Sequence, residues 1–370
     1  MSLRRRSELS EPAARAALRL RSCEAQIALL DRVRPQNLVF EKTRLTRALE
    51  SRQQPAPQFA YAPAPALGEL RAELSVLARK LAAGETEERL LAERALELEL
   101  DASLVGRVGT ADFAPLAAQR FPLPDDAEEL ARLARRFVTA VPDAADLQTE
   151  APVHYSDDAR DPESLWSELA RLISGERWAV RIEALPGLAS LAAVADGAVR
   201  VRAGARLTAR ESRRIALHEV EGHVRPRVAA AALGGVLLAG SARASEDEEG
   251  RAILIEERAG LLDAGRRREL GRRYLAAASV RSGADFWETV RLLGELGATS
   301  AQAVELSCRV HRGGGLGREL MYLVGYRRVA ARLASEPELE RVMQHGRVSL
   351  EAARALLTDS FELDDDGDVI

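Results

Sequence analysis

The chain has 370 residues, 46% hydrophobic but only 4% aromatic, so a core large enough for one or two domains must be filled by Leu, Ala and Val. A net charge of −4 with no basic stripe interleaved with aromatics excludes a nucleic-acid partner, and two cysteines, Cys23 and Cys308, exclude a disulfide framework. No apolar h-region follows Arg4-Arg5-Arg6 and no apolar run approaches the roughly 20 residues of a spanning helix, so a soluble, cytoplasmic protein with no membrane partner is expected.

Residues 12–34 carry Ala, Leu and Arg at helical spacing up to Pro35, and a short helix is expected over 39–51. Pro55, Pro57, Pro63 and Pro65 then mark an extended segment with Phe59 and Tyr61 as anchors. Residues 67–105 read as helical with a break near Gly84, and 125–140 as a further helix. A loop over 142–162 contains His154. No repeat period emerges, which excludes a solenoid.

The character changes after Glu163. A helix is expected over 163–174, and Trp178 to Glu183 alternates like a strand. Residues 191–195 and 198–202 flank Asp196-Gly197, a strong hairpin signal, so a sheet of about three strands should precede residue 208. Thr208 and Glu211 form a capping box that starts a helix running into His218 and His223. From there to about residue 360 the pattern is helical, interrupted by glycines at 234–235 and 313–315. The expected fold is mainly α with a small β-sheet (α+β). Residues 1–150 are a helical N-terminal region, 151–360 a catalytic region, and 361–370 an acidic tail.

Chemistry concentrates in His218-Glu219-Val-Glu-Gly222-His223. In a helical H-E-x-x-H motif the imidazoles lie four residues apart, on one face, and the Glu serves as general base. Here the spacing is five, and on a regular helix positions i and i+5 diverge by about 140°, against about 40° for i+4. The two rings can share a metal only if the helix absorbs an extra residue as a π-type bulge between Val220 and His223, and Gly222 is the residue best able to accept it. The competing reading is an ordinary histidine pair on a helix. A third ligand should be a carboxylate on a following helix, and Asp247-Glu248-Glu249 with Glu256 offers several.

The segment around Glu249-Gly250 resembles the Gln-Glu-Gly-Leu-Ala signature of bacterial flavohemoglobin expression-modulating QEGLA-motif proteins, which belong with the microtubule-associated tyrosine carboxypeptidases. Arg34-Pro-Gln-Asn37, Phe59-Ala-Tyr61, Arg309-Val-His-Arg312-Gly313-Gly314 and Met321-Tyr322-Leu-Val-Gly325 resemble further stretches of that family, over most of residues 25–335. The chain departs from the pattern at Glu248 for Gln, Arg251 for Leu, and Arg318-Glu319 for Lys-Asp.

The resemblance implies a zincin-like metallopeptidase. His218, His223 and Glu249 would hold Zn2+, Glu219 would be the general base, and Glu256 would support the ligands from behind. It further implies a carboxypeptidase acting on a peptide or protein C-terminus, with a tyrosine or other aromatic residue removed. Arg309 and Arg312 are the cations expected to grip the terminal carboxylate beside the zinc, and Tyr322 is a candidate oxyanion donor. His154 and His311 are weaker candidates, and the strand 198–202 is where a substrate could add to a sheet edge. The rival from another class is a non-catalytic regulatory or interaction protein with a structural zinc site, which would have no use for Glu219 as a base.

Overall fold

The computed structural model describes residues 3–141, 153–188, 190–195 and 197–363, and it is mainly helical with small sheets. The expected acidic run Asp364–Asp368, much of the loop after Pro142, and Asp196 of the hairpin signal lie outside the described residues. None of the described helices is long and apolar enough to cross a membrane.

Two compact units form, and each draws on separated stretches of chain. One comprises Ser10–Ala140 with Arg267–Val324. Its first helix, Glu11–Ile27, starts where the Ser10 hydroxyl accepts from the Ala13 amide at 3.2 Å, and ends at Ala28, which adopts the left-handed conformation at φ 45°. The helix expected over 12–34 is therefore two, the second being Leu29–Arg32. The break expected near Gly84 separates Gly68–Leu81 from Thr86–Val105, and Phe113–Arg120 is a helix the sequence pattern did not suggest. The proline-rich segment is pinned in two ways. The Asn37 carboxamide donates to Gln58 O (2.7 Å) and accepts from Ala60 N (2.9 Å), and the Tyr61 hydroxyl accepts from Gly313 N at 2.7 Å. Gly313 has φ +74°, and a Cβ there would sit 2.7 Å from the Phe113 ring, so neither the conformation nor the space admits a side chain.

The other unit comprises Met1–Leu9, Val141–Arg266 and Gly325–Ile370. Among the described residues seven short strands belong to it: β1 Leu3–Arg5, β2 His154–Tyr155, β3 Arg181–Leu185, β4 Ala192–Ala195, β5 Ala198–Arg202, β6 Arg206–Leu207 and β7 Phe361–Leu363. The expected three-stranded sheet is present with order β3-β5-β4, β3 parallel and β4 antiparallel to β5. Two further pairs, β1 with β7 and β2 with β6, carry no signal in the sequence pattern. The expectation that a substrate strand could lie along 198–202 needs correction. β5 is central, with both edges already hydrogen-bonded, and the edges left open among the described residues are those of β3 and β4.

The sheet seats the helix that leaves it. Val199 and Val201, two apart on β5, face the same side, and there they pack with Leu165 and Leu169 of the helix Leu165–Gly175. Ile215, Ala216, Val220 and Val224 complete this core from the departing helix. Burying each such valine or leucine stabilises the arrangement by about 1.5–3 kcal/mol, so the segment carrying His218 and His223 is anchored from below by its own apolar residues.

Candidate metal centre

Thr208 and Glu211 make the reciprocal capping box, with Glu211 N to Thr208 Oγ1 at 3.0 Å and Thr208 N to Glu211 Oε2 at 2.9 Å. The regular helix Ala209–Leu217 then changes pitch. Residues His218–Val224 form a π-helical turn in which Arg225 N–H reaches back five residues to Val220 O. The extra residue per turn rotates His223 back toward His218, as the five-residue spacing requires. The rings lie 5.2 Å apart, centre to centre, inclined at 63°.

Gly222 lets the turn approach the helix Ala244–Arg258. A Cβ on Gly222 would fall 2.6 Å from the Ala252 Cβ. On the same helix, Gly250 meets the backbone of Gly325 so closely that a Cβ would lie 2.2 Å from its carbonyl carbon. Gly222→Ala is expected to lower unfolding stability by about 1–3 kcal/mol through overpacking, measured as a reduced urea midpoint. An unchanged midpoint would show that the two helices can separate freely.

That close approach brings Glu249 under the histidines. Its Oε2 is 3.4 Å from His218 Nε2 and 3.9 Å from His223 Nε2, and one ligand atom from each of the three residues lies within 4.8 Å of the others. The other nitrogen of each ring faces a second carboxylate from behind. His218 Nδ1 is 2.6 Å from Glu256 Oε1, whose carboxylate receives Arg266 Nε and Nη2, each at 3.0 Å. His223 Nδ1 is 3.0 Å from Glu248 Oε1, an ion-pair distance but off the line of a hydrogen bond, and Arg227 Nη1 donates to the same oxygen at 2.8 Å. Both rings therefore turn Nε2 toward Glu249.

Burial makes these contacts matter. His218, Glu219, His223 and Glu249 are each only 8–9% exposed. Burial alone would disfavour the His218 imidazolium, yet the hydrogen bonds of Glu249 and Glu256 together outweigh it and hold its pKa up at about 10 without metal. Burial likewise opposes ionisation of Glu256 and Glu248. The Arg266 and His218 charges for the one, and Arg227 and His223 for the other, bring both down to about 2. Glu219 differs: no hydrogen bond or ion pair engages its carboxylate among the described residues, although it is buried beside the first histidine.

The remaining candidates have other surroundings. Arg309, Arg312 and Tyr322 belong to the helical unit, where Arg309 Nε donates to Glu319 at 2.5 Å and Arg312 Nη2 lies 3.7 Å from the same carboxylate. Tyr322 accepts from Arg318 at 2.9 Å, and the Arg273 and Arg318 guanidinium groups lie over its ring at 5.0 and 5.6 Å. Glu319, fully buried but surrounded by Arg309 and Arg312, is held at about 2. His154 pairs with Asp161 at 2.6 Å. His311 bonds Thr289 at 2.9 Å, and burial lowers its pKa to about 4. Neither histidine joins the cluster of His218, His223 and Glu249, the one group among the described residues arranged to hold a metal ion. Glu248, Arg227 and Arg266 are contributors that the sequence pattern did not single out; the acidic run Asp247–Glu249 was the signal for the first of them.

Two imidazoles and a carboxylate converging on one point are a donor set that fits a metal ion. The family model described as microtubule-associated tyrosine carboxypeptidase matches residues 47–362, and the chain belongs to that family. No curated protein and no solved structure matches it.

Proposed function

We propose that the protein is a zinc-dependent carboxypeptidase that removes a C-terminal residue, with His218, His223 and Glu249 as ligands and Glu219 as general base. The observation that carries this reading is the convergence of two imidazole Nε2 atoms on Glu249 Oε2, with the buried Glu219 next in sequence to the first histidine. The donor chemistry fits zinc, which takes His nitrogen and carboxylate oxygen and keeps a fourth position open in catalytic sites. Zinc bound there supplies Lewis acidity and makes water easier to deprotonate at neutral pH.

The protein's own groups do the rest. Glu219 takes the proton from the attacking water and passes it to the leaving amine. Glu256 fixes the tautomer of His218 by its hydrogen bond at Nδ1, and Glu248 sets a carboxylate beside Nδ1 of His223. Arg309, Arg312 and Tyr322, which the sequence offers for the terminal carboxylate and the oxyanion, lie in the helical unit beside Glu319 and Arg318. Residue preference, on the family's description, is for tyrosine.

Peptides with free and with amidated C-termini test the direction of cleavage. A terminal carboxylate makes a charge-assisted pair that an amide cannot, and losing one partner of such a pair costs about 2–5 kcal/mol. Amidation is therefore expected to slow cleavage by roughly 30-fold or more. Equal rates on the two peptides would overturn the carboxypeptidase reading and leave a peptidase of another kind.

Zinc binding should also release a proton. The folded pKa of His218 is raised to about 10 from an ordinary value near 6.5. Its imidazolium therefore stabilises the metal-free fold fully below about pH 6.5, and that contribution is lost as the pH rises through about 10. A ligand nitrogen must be unprotonated, so at pH 8 zinc should displace about one proton from His218. Calorimetry in two buffers of different ionisation enthalpy measures this, and a proton count near zero would contradict it.

A further inference from the structure

Arg251 is among the largest wholly buried side chains, 1% exposed. It sits two residues beyond Glu249 and turns away from the metal ligands, toward the back of the π-helical turn. Its Nη2 donates to two backbone carbonyls there, Glu221 O at 2.7 Å and Gly222 O at 2.9 Å.

The sequence gives a reason why those carbonyls take a side-chain donor. Arg225 N–H is committed to Val220 O, five residues back. Counting on in the same register, Glu221 O should receive the amide of residue 226. In the α register that resumes with Arg225–Leu233, Gly222 O should receive the same amide. Residue 226 is proline, which has no N–H. On this count the change of pitch leaves one of the two carbonyls without an amide and Pro226 strips the other, in a place too buried for solvent to compensate fully, and one guanidinium supplies both.

We propose that Arg251 is a positioning residue that braces the π-helical turn at the pitch where His218 and His223 can share a metal. The inference rests on the zinc-site reading but concerns a residue that touches neither metal nor substrate.

The test uses the full chain with Arg251→Met, which keeps bulk and removes both hydrogen bonds, alone and combined with Pro226→Ala, which restores one backbone N–H at the change of pitch. Zinc affinity is read by chelator competition, and hydrogen–deuterium exchange over residues 218–230 is read on metal-free protein. Arg251→Met is expected to weaken zinc binding by about 10–100-fold, the effect typical of lost outer support, and to speed exchange in that segment. Adding Pro226→Ala should recover a substantial part of both losses, which a general destabilisation would not do. Arg251→Lys, retaining a cationic donor, should bind zinc more tightly than Arg251→Met. It takes that variant's place beside Pro226→Ala if the methionine protein does not fold. Unchanged zinc affinity and exchange in Arg251→Met, or no recovery with Pro226→Ala, would overturn the proposal. Wild-type protein that binds no zinc would sink the metal-site reading instead, and the exchange comparison on metal-free protein would still decide the role of Arg251.

Discussion

Glu219→Gln is expected to retain stoichiometric zinc while losing about 10²–10⁴-fold in kcat, the usual contribution of a positioned general base. The carboxamide matches the carboxylate in size, so the packing around a side chain that is only 9% exposed is preserved. What it cannot do is accept the proton of the attacking water. No neighbouring side chain engages the Glu219 carboxylate among the described residues, so the substitution breaks no ion pair and its effect should fall on chemistry rather than on stability. Zinc content by elemental analysis and turnover of a free-acid peptide give the two readouts. An active Glu219→Gln protein would show that another group moves the proton. Zinc retained in both proteins with no hydrolysis by either would favour the regulatory reading.

His223→Ala should have a still larger effect on the metal. It removes a ligand outright and leaves Glu248, fully buried, with Arg227 as its nearest cation. Glu256→Gln makes the graded comparison, since Glu256 only backs His218 at 2.6 Å and is itself held by Arg266. Loss of such outer support costs about 10–100-fold in metal affinity, so Glu256→Gln should fall in that range and His223→Ala well beyond it. The same chelator competition measures both. Equal losses, or tighter binding in His223→Ala, would mean that His223 is not a ligand and that the π-helical turn serves another purpose.

Much of the centre is legible in the sequence because geometry leaves few options. Two histidines five apart cannot converge on a regular helix, so a shared ligand demands a π-type turn, and residues 218–224 form one. The capping box at Thr208 fixes where that helix begins, and the alternation of 198–202 fixes the central strand. What escapes is non-local. β1 and β7 pair residues from the two ends of the described chain, Leu3 opposite Leu363, with no signal in either segment. Ala28 breaks a helix in a left-handed conformation that its own type does not announce. A substrate strand on β5 is a natural misreading, because alternation reveals a strand but not whether both its edges are taken. As sequence, Glu248 and Arg251 look like inert departures from a motif. Only their burial and partners reveal that one faces His223 and the other donates to the carbonyls of Glu221 and Gly222.

The most direct test of the central claim is digestion of a mixed peptide library by the purified, zinc-loaded protein, read by mass spectrometry against a chelator-treated control. The account predicts loss of single residues from free C-termini, favouring tyrosine or another aromatic, and abolished by zinc removal. Internal cuts, or trimming that persists without metal, would contradict it.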